Sequence, residues 1–138
     1  MVRYFFEDTS FKFKPKALTK LWLRTVAGSE SRKLGDVNII FCSDNYILDI
    51  NMKYLQHDYF TDIITFGYSE GDVISGDIYI SLDTVKSNSE EFHVDYINEF
   101  YRVIIHGVLH LCGQNDKTDE ERAEMIRKEN AALALLNK

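Results

Sequence analysis

Apolar positions change period along the chain, and the changes mark out its elements. Val2–Phe6 is a short apolar run that reads as a strand. Ala17, Leu18, Leu21, Trp22 and Val26 then recur at helical spacing, predicting a helix that ends near Gly28, with Pro15 suited to its first turn. Asp36–Cys42 reads as a strand, and Ser43 is a candidate N-cap for a helix carrying Tyr46, Ile47, Ile50 and Tyr54 on one face. Ile63–Phe66 and Asp77–Ser81 read as two more strands, with Gly71 in a turn between them. The order to this point is β-α-β-α-β-β.

The last third is helical by pattern. Ser89–Cys112 reads as one long helix, nearly apolar from Phe100 onward and therefore buried on most sides, and Gly113 is its stop. Thr118 followed by Glu121 forms a capping box. Beyond it Met125, Ile126, Ala132, Leu133 and Leu136 give a final helix an apolar stripe. Strands first and the longest helices last predict an α+β fold, with helices packed on one small sheet. No linker, internal repeat or low-complexity stretch interrupts the pattern, so residues 1–138 are read as a single domain.

Composition narrows the class. At 138 residues, 45% hydrophobic and 28% charged with both signs, the chain can bury a core and is not disordered by composition. Its first residues place apolar side chains ahead of lysines, the wrong order for a secretory signal. No apolar run approaches membrane-spanning length, so a cytoplasmic protein without a membrane partner is expected. Cys42 and Cys112 are the only cysteines and lie far apart, which excludes a disulfide framework and a four-thiolate zinc site; Cys112 reads as a small buried side chain.

The net charge of −6 argues against non-specific nucleic-acid binding. It is uneven, however: residues 1–33 carry eight Lys/Arg against three Asp/Glu, and the remainder eight against nineteen. Lys12, Lys14, Lys16, Lys20 and Arg24 form the densest basic group, read as a solvated helix face, with a local phosphate-contacting patch as the alternative.

The chemistry concentrates on His106 and His110. Four residues apart on a helix, they present both imidazoles on one face. A chain turning at Gly113 can return Asp116 as a third ligand, giving one zinc ion two nitrogens and a carboxylate oxygen. Three protein ligands leave a position for water, as in catalytic zinc sites, and zinc brings the pKa of such a water to about 7. The alternative is a hydrogen-bonded core histidine pair, but two unliganded histidines in the most apolar helix would be costly to bury. Gly107 sits mid-helix between them, where glycine costs up to about 1 kcal/mol relative to alanine. It implies close approach by another backbone or by substrate. It also stands where a metalloprotease of the HExxH type has its general base, so zinc-peptidase chemistry is disfavoured. Glu99 and Arg102 lie on the same stripe: Glu99 as an acceptor for an imidazole N–H, Arg102 as a phosphate or carboxylate contact, or both as an ion pair within the helix, the reading preferred here.

The run HGVLHLCGQND from His106 resembles the signature of the YbeY family, H-G-x-L-H-L-x-G-x-x-H. Tyr54–Phe66 and Gly76–Ser81 are similar to that family's two central sheet motifs, in the right order, and the resemblance covers essentially the whole chain. It implies a metalloprotease-like (zincin-like) fold on a small mixed sheet. It also implies a zinc-dependent, single-strand-specific endoribonuclease with one Zn2+ per chain, held by His106, His110 and Asp116. The implied process is maturation of the 16S ribosomal RNA 3′ end and ribosome quality control, with ribosomal RNA and the small ribosomal subunit as partners.

There are two departures from the pattern. Asp116 stands at the family's third histidine, and Leu55 stands where the family commonly has an arginine; Lys53, His57, Arg102 and Lys117 are candidates to replace that cation. Asp58 and Asp62 are eligible general bases, Asp62 equally a partner for the backbone of its own loop. The alternatives are a metal-dependent hydrolase of another substrate class, and a ribosome assembly factor with mainly structural zinc. A fourth ligand from His57 or His93 would mark the latter.

Overall fold

The computed structural model describes residues 1–9, 17–55 and 62–136. In chain order the elements are β1 (Val2–Phe6), α1 (Thr19–Ser29), β2 (Lys33–Cys42), α2 (Asp44–Leu55), β3 (Ile63–Gly67), β4 (Val73–Ser81), α3 (Leu82–Glu91), α4 (Tyr96–Leu111) and α5 (Asp119–Leu136). The strands form one mixed sheet in the order β1-β2-β4-β3, with β1, β2 and β4 parallel and β3 antiparallel on β4. The fold is α+β, a small mixed sheet with helices packed on it, as the element pattern predicts.

Alternation along the strands divides the core between the two faces. Val37, Ile39 and Phe41 of β2 and Ile74, Ile78 and Ile80 of β4 meet α1, α4 and α5 in the larger cluster. The opposite face carries a smaller cluster, in which Cys42 and Ile64 pack with Ile47 of α2. Helix α4 runs through the larger cluster with Phe100, Ile104, Ile105 and Val108 wholly buried, which accounts for its nearly continuous apolar sequence. Both cysteines are buried and free, and burial raises the Cys42 thiol pKa to about 12 and that of Cys112 to about 11.

Several boundaries differ from the expectation. The continuous helix Ser89–Cys112 is two helices, because α3 ends at Glu91 and α4 begins at Tyr96. Between them His93 adopts φ 55°, a left-handed conformation in a segment with neither glycine nor proline to announce the break. Helix α3 starts directly after β4, where Ser81 Oγ accepts from the Thr84 backbone N–H as its N-cap. In α1 the buried stripe is Thr19, Trp22, Leu23, Val26 and Ala27, whereas Leu18 and Leu21 are exposed. Pro15 lies outside the described residues, as do Lys12, Lys14 and Lys16 of the basic group. Lys20 and Arg24 are exposed on α1, consistent with a solvated face.

Local signals were reliable elsewhere. Ser43 Oγ accepts from the Tyr46 N–H at 3.2 Å, and Thr118 and Glu121 exchange the two bonds of a capping box at 2.9 and 3.0 Å. Gly113 has φ 101°, the left-handed position that stops α4 and turns the chain back.

Candidate metal centre

Helix α4 delivers His106 and His110 to one end of the larger core, and the turn at Gly113 brings Asp116 to them. One ligand atom from each of the three residues falls within 4.8 Å of the others. His106 Nε2 lies 3.0 Å from His110 Nε2, and each is 3.4 Å from Asp116 Oδ2. Donors about 2.0–2.2 Å from a tetrahedral zinc ion stand about 3.3–3.6 Å apart, a spacing that both Asp116 distances meet and that the two imidazole nitrogens reach by a small separation. All three residues are partly exposed, and His106 and Asp116 line a cleft of about 380 Å³. The set can hold a metal ion.

The surroundings fix how the imidazoles present themselves. His106 Nδ1 is 2.6 Å from Glu129 Oε2, so the ring donates there and keeps Nε2 for an ion. Glu129 sits on α5, 5% exposed, and its other oxygen accepts from Arg102 at 2.9 Å; Arg102 also donates to Asn130 at 2.7 Å. Burial opposes charge on His106, but the Glu129 hydrogen bond and carboxylates of Glu129, Asp62 and Asp116 outweigh it and raise its pKa above the ordinary value. His110 shifts the other way, lowered by burial and by the neighbouring His106 charge. Its ring also engages the Gln114 backbone.

Sequence reasoning missed Glu129. The available signal was an acid placed on the buried stripe Met125, Ala132 and Leu133 of the final helix. The ion pair assigned within α4 is not the one that forms: Arg102 reaches across to Glu129, and Glu99 takes a hydrogen bond from the Asn88 side chain of α3. Nor is Glu99 the imidazole acceptor, a role that falls to Glu129. The reason is that α4 packs against both α3 and α5, so partners from other helices reach these side chains.

Gly107 does compensate for a close approach, though by side chains rather than backbone or substrate. A Cβ there would stand 2.8 Å from Ile78 Cγ2 and 2.9 Å from Ile63 Cδ1, so glycine lets α4 lie against β3 and β4. Asp62, immediately before β3, lines the cleft beside His106; burial raises its pKa, and hydrogen bonds with its own backbone and that of Ile63 oppose the shift. Asp58 and His57 lie outside the described residues. Among the described residues His93 is exposed and does not join the ligand set.

Of the candidates to replace the cation missing at Leu55, Lys53 pairs with Asp49 on the surface and Lys117 is exposed beside Asp116. Among the described candidates, Arg102 alone lines the cleft.

Comparison with known proteins identifies relatives over nearly the whole chain. Residues 4–137 match the family model described as "Endoribonuclease YbeY". A protein of that name from Parabacteroides distasonis is 53% identical over 98% of this chain and 95% of its own length. Another from Phocaeicola vulgatus is 53% identical over 99% of both. A Thermotoga maritima protein solved in solution superimposes with a TM-score of 0.65 at 32% identity, covering 96% of this chain and 87% of that one.

Proposed function

Because this chain belongs to the YbeY endoribonuclease family, we propose that it is a zinc-dependent endoribonuclease cutting single-stranded RNA in ribosomal RNA maturation. The substrate is the 3′ end of 16S ribosomal RNA on the small ribosomal subunit, in the cytoplasm, and the same cleavage serves ribosome quality control. Among the described residues no helix is long and apolar enough to cross a membrane.

The observation that carries this reading is the open three-donor set His106, His110 and Asp116, of which His106 and Asp116 line a cleft. A structural zinc site closes with a fourth protein donor, and none joins these three among the described residues. One zinc ion per chain, held by the three, supplies Lewis-acid polarisation of a phosphate oxygen and activation of water.

The chain's own groups do the rest. Glu129 would hold the His106 ring in the tautomer that leaves Nε2 for the ion, while Arg102 pairs with Glu129 and fixes its position. Asp62, beside His106 in the cleft, is the described carboxylate placed to take a proton from an attacking water. With Gly107 at the position of a peptidase glutamate, no peptide-cleaving base stands on α4.

The decisive assay incubates metal-free and zinc-loaded protein with single-stranded fragments of the 16S 3′ region, alongside His106→Ala and Asp116→Ala. Zinc-dependent cleavage that both variants lose is expected. Cleavage persisting in both would come from another nuclease, and absence of cleavage with about one zinc retained per chain would favour the assembly-factor role.

A further inference from the structure

The cleft does not stop at the three ligands. It continues along α4 on the stripe His106, Val103, Arg102 and Glu99, and along α5 on Glu129, Ile126 and Met125. Seven residues separate His106 from Glu99, about 10 Å along the helix axis. The far end is closed by Asn88 and Phe92, from the end of α3.

The groove therefore has three zones of different chemistry. Its near end is ionic, with His106, Asp116 and Arg102. Its walls are apolar, and two of them, Phe92 at 60% and Ile126 at 53% exposure, are large hydrophobic surfaces left open to solvent. Its far end holds Glu99, a carboxylate only 7% exposed. That carboxylate takes a hydrogen bond from Asn88, whereas an ionised carboxylate has about four acceptor positions. The nearby Arg102 guanidinium is occupied by Glu129 and Asn130. Burial raises the Glu99 pKa despite Arg102 and the Asn88 hydrogen bond.

A ligand that fits these zones is flat, apolar on its faces, edged with adjacent N–H donors and tethered to a phosphate about 10 Å away. We propose that the far end of this cleft is a nucleobase pocket selective for guanine, whose neighbouring N1–H and N2–H groups donate to the two oxygens of Glu99 while Phe92 and Ile126 cover its faces. Guanine offers two parallel donors, uracil only one, flanked by carbonyls, and adenine and cytosine a single amino group each. Single-stranded RNA is read in this manner, by stacking on side chains and hydrogen bonding at the base edge. The pocket rests on the ribonuclease reading for the phosphate at the metal, and it makes cleavage next to guanosine the preferred event.

Two measurements test it. Zinc-loaded protein is given otherwise uniform oligouridylates carrying one central guanosine, inosine or adenosine. Cleavage beside guanosine is expected to exceed cleavage beside uridine by about tenfold, with inosine between because it lacks the amino group. Glu99→Gln, which replaces an acceptor by a donor, is expected to bring the guanosine-to-uridine ratio close to one. Phe92→Ala is expected to slow cleavage beside both bases while leaving their ratio in place. A ratio near one in the unaltered protein overturns the proposal.

Independently of cleavage, guanosine and uridine 5′-monophosphate are titrated into the zinc-loaded protein and followed through the Met125 methyl resonance. Tighter guanosine binding that Glu99→Gln abolishes, with the thermal midpoint unchanged, supports the pocket even if no oligomer is cut; in that case the ribonuclease reading alone has failed. Equal affinities overturn the pocket whether or not RNA is cleaved.

Discussion

Glu129 uses its two oxygens for two partners, His106 at 2.6 Å and Arg102 at 2.9 Å, so one buried carboxylate both orients a ligand ring and fixes a cation. Replacing it by glutamine keeps the shape but removes the charge that steadies the imidazole. Glu129→Gln is expected to weaken zinc affinity about 10- to 100-fold, measured by competition with a coloured chelator, while Glu129→Asp recovers part of the loss. A melting curve of the metal-free variants separates this from a general loss of stability. Gly107 makes the opposite case, in which nothing polar is involved. Gly107→Ala gains helix propensity but drives a Cβ into Ile78 and Ile63, both held in the packed sheet. A net destabilisation of about 1–3 kcal/mol is expected from urea unfolding, and a stabilised variant would show that α4 can lift from the sheet at little cost.

At the scale of elements, the site depends on how α5 meets α4. Helix α5 begins at the Thr118–Glu121 capping box, three residues after Asp116, and its later turns present Glu129 to His106. Trp22 Nε1 of α1 donates to the Ala132 carbonyl at 2.8 Å and Lys128 pairs with Glu30 at 2.5 Å, so α5 is also tied to α1. Thr118→Ala removes one cap bond and is expected to cost about 1 kcal/mol. The reading of this cap as a support for the loop holds if zinc affinity falls alongside stability, and fails if affinity is untouched. The division of the expected long helix into α3 and α4 matters equally. The left-handed residue His93 ends α3 and lets Asn88 and Phe92 close the far end of the cleft.

At the scale of the whole molecule, metal, proton and stability are linked. The metal displaces a proton wherever a ligand nitrogen holds one. His106 has its pKa raised above 6.5 and His110 has its pKa lowered below 6.5. Zinc affinity is therefore expected to begin falling as pH drops through the raised His106 value, above 6.5, with a slope of about one proton per ion. The slope steepens to two only below 6.5, where His110 also charges. Calorimetry in buffers of different ionisation enthalpy reads the number of protons released. A slope of two from the start would contradict the opposite shifts. Zinc at 100 times its dissociation constant is expected to stabilise the fold by about 2.7 kcal/mol, seen as a concentration-dependent melting temperature.

The three-donor cluster that could hold a metal ion was legible in the sequence because it is local: helical spacing puts His106 and His110 on one face, and Gly113 reverses the chain within reach of Asp116. Strand identities, the N-cap at Ser43 and the capping box were legible for the same reason, since each is a relation among neighbours. The family was legible too, in HGVLHLCGQND and the two sheet motifs. Glu129 was missed, and Asp62 and Glu99 were named only as candidates among alternatives, because a carboxylate in a sequence carries no record of which helix it will face. Only the packing of α5 and β3 around α4 decided that Arg102 pairs with Glu129 rather than Glu99. The same packing decided that Gly107 makes room for isoleucines, and that His106 and Asp116 open onto a groove with a buried carboxylate at its far end. Those are contacts between distant segments, and their geometry exists only once burial of apolar surface has brought the segments together.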